Sequence, residues 1–215
     1  MIWRNGEHYC DPTAGAALRS IAHKEVCSNM MEGKRFERDF KASVPPEAWC
    51  YRLRDSPISY YGGSETEGIR FAQDNICDFF LFRAPSLYLL ELKTVGTRSA
   101  ALTSLFGRFD PDKGAYKKQK HLQDMADAAV RRSLQALVVL NYRLAGHTYA
   151  LPAADVLDFV RQAIAGGRKS IPEDWCREHG RPVIARRLRV NWRYDVAAMM
   201  DECEGRNDHA EEPEI

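Results

Sequence analysis

The sequence predicts an α/β domain in which a mixed β-sheet is flanked by helices. Three observations carry this reading. Helix-period and strand-like segments follow one another as helix, strand, β-hairpin, helix, strand, an order that calls for layered α/β packing. Ala136 to Tyr142 (ALVVLNY) is apolar on both faces, as a central strand covered from both sides has to be. The 215 residues are enough for one medium domain that buries roughly 70% of its unfolded surface.

Composition narrows the class. The six cysteines, Cys10, Cys27, Cys50, Cys77, Cys176 and Cys203, form no Cys-x-x-Cys pair and no zinc-like spacing with histidine. With no signal peptide recognisable, a reducing, cytoplasmic setting is expected. No apolar run approaches the ~20 residues of a membrane helix, so no membrane partner is expected. The net charge of +1 hides an asymmetry, because residues 201–215 hold seven acids and one base, leaving residues 1–200 with 30 bases against 23 acids, a net of +7. A mildly basic body permits contact with a polyanion. The six histidines are dispersed and offer no metal site of their own.

In chain order, Asp11-Pro12 opens a helix of about 15 residues through Val26, with Leu18, Ile21, Ala22 and Val26 on one face. Residues 1–30 therefore read as an appended helical extension. Residues 32–44 form a second helix with Phe36, Phe40 and Val44 as its buried stripe, stopped by Pro45-Pro46, and Glu37 lies beside that stripe. Ala48 to Arg54 is the first strand. Asp55 to Asp74 is a polar passage, a loop or small stalk, with Tyr60, Tyr61 and Arg70.

Thr94 to Asp112 reads as a second irregular stretch, followed by a helix over 114–132 with Tyr116, Leu122, Met125, Ala129 and Val130 on one face. Lys113, Lys117, Lys118 and Lys120 cluster where that helix starts, where cations oppose the macrodipole unless an anion is present. After the central strand come a short partner strand over 148–151, a helix over 153–165 ended by Gly166-Gly167, and a short helix over 171–179. Between Glu178 and Asp195 there is no acid, and Arg181, Arg186, Arg187, Arg189 and Arg193 suit phosphate contact or a protected strand edge. Residues 202–215 read as an acidic, disordered tail.

The chemistry concentrates between Asn75 and Lys93. Two aromatic-rich and branched apolar runs flank the break Ala84-Pro85-Ser86 and read as a β-hairpin. With Phe82 facing Leu87, antiparallel counting sets Asp78 opposite Glu91 on one face. Two like charges placed about 5 Å apart repel. A hard divalent cation, which prefers oxygen ligands, relieves that repulsion, and Lys93 projects from the same face two residues beyond Glu91. Cys77 beside them is a small buried hydrophobe rather than a nucleophile.

Asp78 followed by Glu91-Leu92-Lys93 resembles the D…ExK core of the PD-(D/E)xK nucleases, whose fold is a restriction-endonuclease-like core. The wider context resembles the RecU-type Holliday junction resolvases, phage-borne members especially. The pieces are Gly33 to Phe40 (GKRFERDF), Tyr51 to Ser56 (YRLRDS), Asn75 to Asp78 (NICD), Glu91 to Lys93, Gly167 to Pro172 (GRKSIP) and Trp192 to Asp195 (WRYD), spanning a nuclease domain over residues 31–201.

The resemblance implies a Mg²⁺-dependent endonuclease, with Mn²⁺ an alternative metal, that cuts four-way DNA junctions as a homodimer. It implies Asp78 and Glu91 as metal ligands and Lys93 as the cation beside them. Glu37 would complete the site, and Gln119 would position phosphate or water, with Gln123 as the rival; Asp55 would approach the site as well. DNA contacts implied for Arg54, Tyr60, Tyr61, Arg70, Lys117, Lys118, Arg168, Lys169, Arg186 and Arg187 complete the expectation. A restriction-type nuclease of the same superfamily and a non-catalytic DNA-binding recombination modulator are the alternatives.

Overall fold

In a computed structural model, the described backbone comprises residues 2–4, 7–9, 31–53, 56–59, 70–73 and 75–207, with side chains described for 31–53 and 75–205. The chain opens with the strands β1 (Ile2–Arg4) and β2 (Glu7–Tyr9), an antiparallel pair where the sequence pattern suggests no element. The helix expected near 13–26 lies outside the described residues. Helix α1 covers 31–41 and leads to β3 (Trp49–Arg52). β4 (Ser56–Ser59) and β5 (Arg70–Gln73) then pair as an antiparallel ribbon in the passage read as a loop or stalk.

β6 (Phe79–Arg83) and β7 (Ser86–Val95) form the central hairpin. The crossover after β7 holds β8 (Ser99–Ala101), α2 (Leu102–Phe106), the short pair β9 (Phe109–Asp110) and β10 (Ala115–Tyr116), and α3 (Gln119–Arg132). It ends in β11 (Gln135–Tyr142), followed by β12 (His147–Pro152) and α4 (Ala153–Ala165). β13 (Ser170–Pro172), α5 (Glu173–His179), β14 (Arg181–Pro182), the hairpin β15 (Ala185–Leu188) and β16 (Asn191–Tyr194), and α6 (Val196–Asn207) complete it.

The main sheet is six-stranded in the order β14-β12-β11-β7-β6-β3, and it is mixed: β11 runs parallel to β7, while every other neighbouring pair is antiparallel. Helices flank it on both faces, as expected of an α/β domain with a mixed sheet. The continuous apolar run of β11 is explained by its two covered faces. Ala136, Val138, Leu140 and Tyr142 enter one core with α2, α3 and α4, while Leu137 and Val139 enter another with α1 and α6. β7 divides likewise, with Leu89 and Val95 on the first side and Tyr88, Leu90 and Leu92 on the second. Glu91 and Lys93 alternate with that second set, so they belong to the first face.

Several expectations require correction. Thr94 to Asp112 is not irregular: it completes β7 and forms β8, α2 and β9, burying Ala100, Leu102, Leu105 and Phe106. Elements of two to five residues are too short to show a period. The next helix begins at Gln119, because Ala115 and Tyr116 pair with β9. Val130 is 82% exposed, since the buried stripe of α3 is Leu122, Met125 and Ala126. Residues 202–207 belong to α6 and not to a disordered tail. Val196, Met199, Met200 and Cys203, spaced i, i+3, i+4 and i+7, are all buried, while acids on the other face mask that stripe in the composition.

Candidate active site

The hairpin register matches the sequence count at Phe82↔Leu87, with a tighter loop than expected, because Arg83 and Ser86 are themselves paired. Pairing runs inward to Phe79↔Leu90, and Asp78 stands one residue beyond it. There the chain turns out of the ladder. The Asp78 N–H donates to the Leu90 carbonyl at 3.0 Å, while the Asp78 carbonyl accepts the Leu53 N–H at 2.9 Å at the end of β3. Its carboxylate is free to reach across to β7, where Oδ2 accepts the Leu92 N–H at 2.9 Å.

Beside this bond lie the two polar side chains of β7. The Lys93 ammonium contacts Glu91 Oε1 directly and stands 4.0 Å from Asp78 Oδ2. Glu91 is within hydrogen-bonding reach of the Asp78 carboxyl. All three are half-buried, with 20–28% of each side chain exposed.

Glu37 approaches from α1, which is seated by Phe36 and Phe40 against the face holding Leu90 and Leu92. Its Oε2 accepts Arg52 Nε at 2.9 Å, and it feels the charges of both Asp78 and Lys93. Sequence spacing does not single out Arg52; its role as the partner of Glu37 follows from the pairing Arg52↔Phe79 that brings β3 beside the hairpin.

The electrostatics follow from this crowding. Burial pushes the Asp78 carboxyl up to about 6 and the neighbouring Glu91 adds to the rise, while Lys93 and the Leu92 N–H oppose it. Burial likewise raises Glu37, against the pull of Arg52. For Lys93 burial acts against the charge, but Glu91 and Asp78 outweigh it and the ammonium is held above its ordinary range. Cys77 is buried, its thiol donates to the Phe79 carbonyl, and burial pushes it up to about 12, so it is no nucleophile.

Two carboxyl groups thus meet at one ammonium, and the Glu37–Arg52 pair stands close enough to feel their charges. A divalent cation fits that surplus of oxygen donors. Among the described residues no group of three or more His, Cys, Asp or Glu side chains is set to ligate a metal, so the protein's share would be the Asp78 and Glu91 oxygens. Magnesium tolerates such a site, because it keeps several waters and uses one or two carboxylates.

The other sequence candidates are distributed differently. Gln119 Oε1 accepts the Tyr116 N–H and closes the turn before α3, while the Gln123 amide is held by Asp127 and Arg161. Lys117 and Lys118 are exposed just before α3, and Arg168 and Lys169 are exposed between α4 and β13, where the Lys169 carbonyl accepts the Leu102 N–H. Arg186 and Arg187 are exposed on β15. Arg181 from the same basic run is buried, at 7% exposure, because β14 closes the sheet beside β12. Arg54, Asp55, Tyr60 and Tyr61 lie outside the described residues, as does the side chain of Arg70.

Solved structures offer a likeness of outline. The chain is similar in outline to an Archaeoglobus fulgidus Holliday junction resolvase, Hjc. The two share 13% identity at a TM-score of 0.34, over 63% of this chain and 83% of that one. The likeness is loose. No family profile matches the sequence, and no curated protein is similar to it. No helix among the described residues is long and apolar enough to cross a membrane.

Proposed function

We propose that this chain is a divalent-metal-dependent endonuclease that cuts branched DNA, a resolvase of the RecU type acting on four-way junctions as a homodimer. The observation that carries the reading is the meeting of Asp78, Glu91 and Lys93 across the β6–β7 hairpin, with Glu37 brought in by α1. Two carboxylates and an ammonium at one half-buried point suit hydrolysis of a phosphodiester, whose reacting centre gains negative charge that needs neutralising.

Each side chain has a distinct task. Asp78 and Glu91 would hold Mg²⁺, or Mn²⁺ in its place. The bound cation supplies Lewis acidity and lowers the pKa of water. Asp78 keeps its orientation through the Leu92 N–H, so its second oxygen is left for the cation. Lys93, kept protonated by its two acidic neighbours, donates hydrogen bonds to the attacking water or to a phosphate oxygen. Glu37, steadied by Arg52, closes the side nearest α1. Paired cuts in a four-way junction need two such sites related by a two-fold axis, which is the support for a homodimer.

The test compares a synthetic four-way junction with a linear duplex of the same sequence, with and without Mg²⁺. Paired nicks in the junction that require the metal are expected. Equal cutting of the linear duplex at a fixed sequence would replace the resolvase reading by a restriction-type one, and no cutting of either would leave a DNA-binding protein.

A further inference from the structure

On the sheet face opposite Glu91 and Lys93 lies a cavity of about 100 Å³ between α1, the ends of β7 and β11, and the β15–β16 hairpin. Three arginines from three separate elements line it: Arg35 on α1, Arg143 in the β11–β12 turn, and Arg187 on β15. Arg35 donates to the Val190 carbonyl, which fixes it under the hairpin. Arg143 and Arg187 are exposed, and no ion pair or hydrogen bond holds either guanidinium among the described residues.

The floor supplies a second, independent sign. Thr94 Oγ1 is buried there without any hydrogen-bond partner. A buried hydroxyl left unsatisfied is costly, and native structures rarely keep one unless something comes to meet it.

Two acids also line the cavity. Asp39 is already spoken for, because Oδ1 takes Arg38 and Oδ2 accepts the Trp192 N–H at 3.0 Å. Glu32 remains at the rim as the one opposing charge without such a tie. The balance stays cationic.

We infer that this cavity is a phosphate-binding pocket, formed by Arg35, Arg143, Arg187 and the Thr94 hydroxyl, that takes a backbone phosphate of the nucleic acid some distance from the bond being cut. Planar guanidinium forks suit phosphate oxygens in pairs, and a hydroxyl donates to a third. Its placement is set by α1. Asp39, Arg38, Ser43 and Arg35 of the α1 segment all bond the β15–β16 hairpin, while Glu37 of the same helix reaches the carboxyl site. Thr94 directly follows Lys93 on β7. Pocket and carboxyl site are therefore held at a fixed separation by two shared elements. The assignment rests on the nuclease reading for the source of the phosphate, but not for the pocket's chemistry.

The test measures binding without cleavage. Anisotropy of a labelled four-way junction in EDTA, over a salt series, is compared for the wild type, Arg143→Ala, Arg187→Ala and Thr94→Val. Each arginine variant is expected to weaken binding several-fold and to lower the salt slope by about one phosphate contact. Thr94→Val removes the orphan hydroxyl while keeping its shape, so it should weaken binding without lowering the melting temperature. Wild-type affinity and slope in all three variants would overturn the assignment. A parallel titration with inorganic phosphate separates the sources: arginine-dependent phosphate binding with unchanged junction binding would overturn the nucleic-acid assignment in favour of a free phosphate ligand. Junction binding that depends on the pocket, in a chain that never cuts, would refute the nuclease reading and leave the pocket intact.

Discussion

Asp78 reaches across from the start of β6 to accept the Leu92 N–H at 2.9 Å. That oxygen is thereby committed to the fold, with the Lys93 ammonium 4.0 Å from it. An asparagine can accept the same N–H, so Asp78→Asn should keep the hairpin while losing the charge that holds the cation. Metal-dependent junction cutting is expected to fall by at least about a thousandfold in single-turnover assays, roughly 4 kcal/mol of lost transition-state stabilisation. Junction affinity in EDTA should stay near that of the wild type.

The same variant has an opposite effect on stability. A carboxyl raised by burial to about 6 from an ordinary 3.8 is neutral in both states at pH 3 and penalises the folded state once it ionises. The penalty grows as pH climbs from about 4 to about 6 and is complete above that. Without metal, Asp78→Asn should therefore be more stable than the wild type at pH 7.5, by on the order of 2 kcal/mol, and indistinguishable near pH 3.5. Calorimetry at both pH values checks this. Millimolar Mg²⁺ should raise the wild-type melting temperature at pH 7.5 and leave that of the variant unchanged.

Lys93 contacts Glu91 while standing 4.0 Å from Asp78. Removing its charge in Lys93→Met should lower the cutting rate by about a hundredfold to a thousandfold. Because the ammonium competes with a cation for the same oxygens, calorimetric titration should show Mg²⁺ or Mn²⁺ binding no more weakly in the variant. Weaker metal binding would assign Lys93 a structural task instead.

The C-terminal boundary gives a stability prediction. Arg83 pairs with Asp201 at 2.7 Å and Glu204 at 2.6 Å, and Cys203 is fully buried against the sheet. Ending the chain after Asp201 removes the Glu204 partner and opens the space of Cys203. A loss of about 2–4 kcal/mol in denaturant unfolding is expected. Removing residues 208–215 alone should have no comparable cost if α6 carries the contribution.

Much of this was legible in the sequence where long-range geometry reduces to counting. The β6–β7 register follows from antiparallel pairing, and the two covered faces of β11 follow from its unbroken apolar run. The stripe of Phe36 and Phe40 placed α1, and with it Glu37. Other parts depended on contacts between distant segments. β8 exists because Ala100 pairs with Ile171, and no local period marks three residues as a strand. Gln119 looks like a site residue by position, yet its amide serves the Tyr116 N–H. α6 was hidden because composition counts acids without regard to the face they occupy. The arginine pocket joins residues 35, 94, 143 and 187, a proximity that only the folded chain creates.

The most direct measurement is single-turnover cleavage of a four-way junction in Mg²⁺ by the wild type, Asp78→Asn and Glu91→Gln, with folding of each verified by calorimetry. The predicted result is metal-dependent paired nicking by the wild type and loss of at least about a thousandfold in both variants, with junction binding retained. Undiminished cutting by either folded variant would contradict the account, because a cation held by these two carboxylates could then play no part in the reaction.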